Sequence, residues 1–333
     1  MHHAHLSSEA ILYQHQALAP STSKAYHSGI QCFVKFCVLS NVRQDRGLPP
    51  PSESFMENFV SYCASALNLG YHTIKLYLCG IRHHFILLGY GNIFNPMERL
   101  QVTLRGIKKS HSKPVKPRIP ITSEIMSKLH GVLARGFINH FTDIMMWAAL
   151  CAGFFGALRC GEFTVSSVFD PDVNLRLGDV SLHNGSDVGP QCVTLHLQSS
   201  KTDPFRKGTD IMLFATGRVL CPLVAFQAYL HLRAGDSPSS PLFITQLGAP
   251  LSRNQFIQWL RAIMDRAGLP SSSASGHSLR RGFATSASEK NVPDHIIKVM
   301  GRWKSDCYTR YVETHKSTLA AAHLSLAAAT PGN

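Results

Sequence analysis

The sequence has no Cys-x-x-Cys pair: its nine cysteines stand singly at positions 32, 37, 63, 79, 151, 160, 192, 221 and 307. An odd, dispersed set with no secretory signal at the start is expected to be reduced thiols of an intracellular protein, without disulfides or a zinc site. Long apolar runs are also missing. The most apolar stretch, 144–158, is shorter than the roughly 20 residues needed to span a bilayer, so it reads as a core helix and no membrane partner is expected. There is no Gly-x-x-x-x-Gly-Lys-Ser/Thr and no Gly-x-Gly-x-x-Gly, so no nucleotide-binding loop is indicated and no cofactor is expected. Acidic residues are scarce: 33 Lys and Arg against 20 Asp and Glu give 33 − 20 = +13. That excess predicts attraction to polyanions, nucleic acid first and an anionic membrane surface second, and composition alone separates neither.

What is present is enough chain for two cores, 333 residues. The first third predicts helices near 8–18, 22–40, 53–68, 72–89 and 96–109. Apolar residues recur at spacings of three and four, as with Tyr26, Ile30, Phe33, Phe36 and Cys37. A basic stretch, 105–118, follows with six Lys or Arg and no acid. It reads either as a solvated linker or as a strap along phosphates. Domains are therefore placed at 1–107 (helical), 108–120 (basic linker) and 121–333. Beyond the linker, 122–136 and 139–158 read as helices. Three short Val-, Leu- and Ile-rich segments near 179–183, 191–198 and 209–214 predict a small antiparallel sheet. Helical patterns return at 222–233, 253–267, 278–289 and from 293 to the end, and no internal repeat is found. The His2, His3 and His5 group reads as a disordered end.

Four elements of the second domain draw attention together. They are Ala157-Leu158-Arg159-Cys160-Gly161-Glu162; Ser199-Ser200-Lys201-Thr202-Asp203; Gly276-His277-Ser278-Leu279-Arg280-Arg281-Gly282-Phe283-Ala284-Thr285; and Met300-Gly301-Arg302-Trp303 followed by Tyr308 and Tyr311. Their order and content resemble the tyrosine recombinase (phage integrase) family, in versions from eukaryotic mobile elements. That family's set is Arg, Lys, His-x-x-Arg, a His or Trp, and Tyr. The resemblance runs over roughly 145–315, and the preceding helices match the family's core-binding domain in position and character only. It implies a mainly α fold of two domains: a helical DNA core-binding domain, then an α+β catalytic domain with a small antiparallel sheet, the DNA breaking-rejoining type. The implied activity is site-specific recombination through a 3′-phosphotyrosyl intermediate. Double-stranded DNA is the implied partner, and the implied assembly is a homotetramer on paired sites. A nuclear location follows from the eukaryotic resemblance, with a prokaryotic cytoplasm as the alternative.

The chemistry gives the residues their expected roles. In-line attack on a phosphodiester needs a nucleophile, neutralisation of two nonbridging oxygens and a proton for the leaving hydroxyl. Without a metal, guanidinium forks meet phosphate oxygens best, which points to Arg159 and Arg280. Glu162 is expected to orient the arginine; a helix-end arginine merely paired with Glu162 is the plainer reading. Lys201 matches the family's hairpin lysine, a general acid for the 5′ oxygen, with Lys207 as fallback. His277 contacts phosphate and handles a proton. The family spacing of ten after glycine, here 311 − 301 = 10, selects Tyr311 as nucleophile over Tyr308. Where the family has His or Trp directly after that glycine, this chain has Arg302. Either Trp303 fills the role after a local shift, or Arg302 adds a third phosphate donor, and Trp303 is taken as the site residue. An Ala- and Leu-rich end, 317–329, is either a helix that packs on a neighbouring subunit or a frayed tail. A DNA-binding protein that has lost catalysis and a type IB topoisomerase are the rival readings.

Overall fold

The computed structural model describes residues 6–42, 48, 50–111, 118–185, 189–200, 203, 207–303, 305–310, 320, 323, 324 and 327. The chain divides into two compact units, Met1–Val115 and Lys116–Asn333, each with its own core.

The first unit is helical: α1 (Ser8–Gln16), α2 (Pro20–Leu39), α3 (Glu53–Ser65), α4 (Tyr71–Leu87) and α5 (Glu98–Ser110). Phe33, Phe36 and Phe59 form its aromatic centre, with ring centroids 5.3 and 5.5 Å from Phe59. Helices α2 and α4 cross backbone against backbone. A Cβ on Gly29 would lie 2.7 Å from the Tyr77 Cα, and one on Gly80 would lie 2.7 Å from the Tyr26 carbonyl oxygen. Helix α1 buries no side chain, although the sequence gives it apolar residues. Helix α5 runs to Ser110 because Leu104 and Ile107 continue its buried stripe, so Arg105, Lys108 and Lys109 are helical rather than part of an extended linker. Residues 112–117 of the expected linker lie outside the described residues.

The second unit wraps helices around α7. Its elements are α6 (Ser123–Ala134), α7 (His140–Phe155), α8 (Cys160–Phe163), β1 (Val180–His183), β2 (Cys192–Leu197), β3 (Thr209–Phe214), α9 (Pro222–Leu232), α10 (Arg253–Arg266), α11 (Ser278–Glu289) and α12 (Asp294–Gly301). Helix α7 is buried almost all round, from Met145 to Phe154, which is what the shortness of its apolar run predicts for a core helix. Among the described residues no helix is long and apolar enough to cross a membrane. The strands form an antiparallel sheet in the order β1-β2-β3, with Leu195 opposite both Val180 and Ile211. Val193, Leu195, Leu197, Ile211 and Leu213 turn into the core.

Three close approaches fix the elements that matter below. Helix α11 lies against the segment entering the unit: Ile121 N donates to the Ser278 carbonyl at 2.9 Å, and a Cβ on Gly282 would fall 1.7 Å from the Ile121 oxygen. Helix α7 meets α11 at Gly153, where a Cβ would be 2.5 Å from Leu279. The loop before α11 rests on α8, with Cys160 N donating to the Gly276 carbonyl at 3.3 Å. The helix expected from 293 to the end stops at Gly301, because Arg302 turns left-handed (φ 54°) and a 3-10 turn, Asp306–Arg310, follows.

Candidate active site

The end of α7 is the hub. Ala157, an alanine in left-handed conformation at φ 44°, reverses the chain so that Arg159 follows as the cap of α8 rather than the last residue of α7. Strain of this kind is of order 1–3 kcal/mol and persists only where its surroundings hold it. Glu162, with 6% of its side chain exposed, accepts from the Arg159 backbone N–H (2.8 Å) and from its Nη1 (2.8 Å), the pairing expected of it. Its second oxygen also accepts from Arg302 Nη2 at 2.8 Å. One buried carboxylate thus holds two guanidiniums, and Arg302 Nη1 reaches the Gly156 carbonyl at 3.5 Å.

Arg280 comes from α11 and is 1% exposed. Its Nη1 donates to the Ala157 carbonyl and its Nη2 to the Gly301 carbonyl at 2.6 Å. The Trp303 ring lies 4.4 Å from its guanidinium carbon and stacks on Phe283 with centroids 6.3 Å apart. That arrangement explains Gly301. The Trp303 ring folds back over it, and a Cβ there would meet the ring at 1.9 Å. Trp303 therefore lies behind Arg280, while Arg302 projects to the Arg159 side.

His277 precedes α11, and its buried Nδ1 has no hydrogen-bond partner among the described residues. Desolvation lowers its pKa, and the positive charges of Arg118, Arg253, Arg159 and Arg280 lower it further. The ring thus stands beside a cluster of cations that disfavours its charged form. Arg253, at the start of α10, and Arg118 were not singled out for the site in the sequence; no local motif marks them, and only the folding of 118–121 and α10 around the Gly276-His277 loop brings them near.

Tyr308 is 3% exposed, hydrogen-bonds Asp294 and packs 5.8 Å from Trp303. The Asp294 carboxylate, burial and Asp306 push its phenol up to about 12, the opposite of what a nucleophile needs. Lys201 belongs to the segment joining β2 to β3, and Tyr311 follows the last 3-10 turn; both lie outside the described residues. Lys207 is exposed just before β3. The structure thus gathers Arg159, His277, Arg280, Trp303, Glu162 and Arg302 around one turn.

The fold, helices around a small antiparallel sheet in the second unit and a helical unit before it, is similar to that of solved structures. The XerH site-specific recombinase bound to palindromic difH substrate superposes with a TM-score of 0.62 at 17% identity, covering 90% of this chain and 78% of that one. A lambda integrase dimer bound to a COC′ core site gives 0.57 at 13% identity, covering 92% and 77%. In sequence, the integrase/recombinase xerD homolog of Selenomonas ruminantium is 24% identical over 305 residues, 89% of this chain and 82% of the relative. Residues 218–317 match the phage integrase family. Over those residues the chain is similar to the phage integrase, or tyrosine recombinase, family. The expected likeness to eukaryotic mobile elements and the nuclear location gain no support from these relatives, since the curated one is bacterial.

Proposed function

We propose that this protein is a site-specific DNA recombinase that cuts and rejoins strands through Tyr311. The observation that carries the reading is the convergence of Arg159, His277 and Arg280, from separate elements, on the turn after α7. In the forward step the Tyr311 oxygen bonds to phosphorus as the P–O5′ bond breaks, leaving a 3′-phosphotyrosyl link. Arg159 and Arg280 neutralise the nonbridging oxygens. Neutral His277 accepts the phenolic proton, and Lys201 gives one to the departing 5′ oxygen. Trp303 holds Arg280 from behind. Attack by a 5′ hydroxyl reverses every step, and because the link keeps the bond energy, no nucleotide cofactor is required.

In this reading residues 1–107 form the helical DNA core-binding domain, 108–120 the basic linker, whose first residues continue α5 to Ser110, and 121–333 the catalytic domain. Four copies act on two duplexes, serving integration, excision or transposition. The test is covalent capture. The full chain is incubated with randomly nicked fragments of its source genome, denatured, and the attached DNA is sequenced. A single recurrent site, trapped by wild type and by Tyr308→Phe but not by Tyr311→Phe, is expected. Capture that persists in Tyr311→Phe would overturn the assignment. Capture scattered over all sequences, with relaxation of supercoils at low protein concentration, would point to a topoisomerase instead.

A further inference from the structure

Where β2 leads toward β3, a chain of contacts clasps the residues on either side of Lys201. Ser200 and Asp203 pair as an antiparallel bridge, with Asp203 N donating to the Ser200 carbonyl at 3.0 Å. Lys201 and Thr202 stand between them in the sequence. The Asp203 carboxylate then accepts from the Gly208 backbone N–H at 3.0 Å, so the two ends of 203–208 are held together. Gly208 is left-handed at φ 74°, and a Cβ there would fall 2.9 Å from His196 Nε2. The imidazole that covers it is fixed in turn. His196 and Asp210 face each other across the strands, and Nδ1 hydrogen-bonds the Asp210 carboxylate at 2.6 Å. Behind them Leu197 and Ile211 are anchored in the core, and Gln198 donates to the buried Asp179 at 3.1 Å.

Asp203 is an acid in a place that argues against one. The chain has 20 Asp and Glu against 33 Lys and Arg. In the recombinase reading this hairpin brings Lys201 to the scissile phosphate, and a carboxylate there is repelled by the DNA. What a carboxylate adds is strength, since a charge-assisted hydrogen bond is roughly twice as strong as a neutral one. A general acid must come within hydrogen-bond reach of the atom it protonates. Lysine carries its ammonium on a flexible four-carbon stem, so the backbone that bears it has to supply the precision that the side chain lacks.

We propose that Asp203 is a positioning residue for proton delivery: bonded to the Gly208 N–H, under the His196–Asp210 pair, it fixes the backbone from which Lys201 protonates the departing 5′ oxygen. The proposal rests on the recombinase reading. It gives His196, Gly208 and Asp210 a task as well, because the His196 ring over Gly208 keeps that N–H turned toward Asp203. None of the four touches the reacting atoms. Their effect is confined to the step in which Lys201 gives up its proton.

The test uses the full chain and the recovered site in two forms, with the normal bridging 5′ oxygen at the scissile phosphate or with sulfur in its place. As the Tyr311 oxygen bonds to phosphorus, the first substrate expels a 5′ alkoxide that takes a proton from Lys201. The second expels a 5′ thiolate, which leaves without one because a thiol has a pKa of only about 8.5. Lys201→Ala should therefore lose roughly 10²–10⁴ in adduct rate on oxygen and recover on sulfur. Asp203→Ala is expected to follow it, slowed about 10²-fold on oxygen, as a misplacement of about 1 Å can cost, and matching wild type on sulfur. Gly208→Ala, which keeps the carboxylate and disturbs the N–H it holds, should show the same pattern. Asp203→Asn, whose amide oxygen can still accept, should keep part of the rate. Asp203→Ala or Gly208→Ala as fast as wild type on oxygen, or slowed equally on both substrates, overturns the proposal. If Lys201→Ala gains nothing from sulfur, the lysine is not the acid and this inference falls, while the Tyr311 adduct and the recombinase reading stand. If wild type forms no adduct on either substrate, the recombinase reading falls and this inference with it.

Discussion

Burial comes first, and four arginines add to it, in lowering the pKa of His277. An imidazole that acts as a base works above its pKa. Because desolvation, Arg118, Arg253, Arg159 and Arg280 all push that pKa below the ordinary value of about 6.5, activity is expected to persist to lower pH than a solvent-exposed histidine would allow. The acid limb of kcat/KM for adduct formation, which reports the free enzyme, should therefore lie below the ordinary histidine range. Arg118→Ala and Arg253→Ala should each move it upward, and His277→Asn should lose it along with roughly 10²–10⁴ in rate. A limb that stays in place in both arginine variants would exclude His277 as its source. The same depression means that the folded, DNA-free protein binds fewer protons at this site than the unfolded chain. Its contribution to stability is complete above the ordinary histidine pKa and declines as pH falls toward the lowered one. Of these residues, Arg159, His277 and Arg280 were legible because their motif spacing is local. The sharing of Glu162 with Arg302 joins residues 140 positions apart and leaves no trace in either segment.

Helix α11 does its work through what it lacks. At Gly282 the backbone of Ile121 occupies the space a side chain would need, 1.7 Å from the nearest possible Cβ. Gly282→Ala is expected to destabilise the second unit by about 3 kcal/mol, the upper part of the range for overpacking. The displaced α11 should carry His277 and Arg280 with it, so DNA cleavage should fall even at temperatures where the fold survives. Unfolding followed by circular dichroism and adduct assays on the same sample would check both. A fully active variant with unchanged Tm would mean that the segment at 121 is not fixed there. At this scale the periodicity located most elements, the three strands and the core helix α7 among them, since burial on one face or all round is written in residue spacing. It misjudged the ends. The pattern after 293 reads as continuous helix because Ile296, Ile297, Val299 and Met300 keep helical spacing. Only the folding back of Trp303 over Gly301 shows why the chain must turn at Arg302. Likewise α1 has apolar residues at helical spacing yet buries none of them, and periodicity by itself does not tell which faces find a partner.

For the molecule as a whole, two separate cores and a net charge of +13 define the physical problem. Each phosphate neutralised on duplex DNA releases counterions, so log K should fall against log salt with a slope of about −0.9 per contact. Fluorescence anisotropy on a recovered site between about 50 and 200 mM salt is expected to show a loss of at least 10³ in affinity, as for proteins making 6–10 such contacts. A nearly flat dependence would mean that the positive surplus is not the DNA-binding surface. The boundary between the units carries a last consequence. Because Ile121 is hydrogen-bonded to Ser278 and fills the hollow over Gly282, the incoming strand of backbone is part of the second unit's interior. A fragment excised to begin at Arg118 would retain this keystone. One begun at Ser123 would remove the Ile121 N–H that donates to the Ser278 carbonyl and open a trench beneath the helix that bears Arg280.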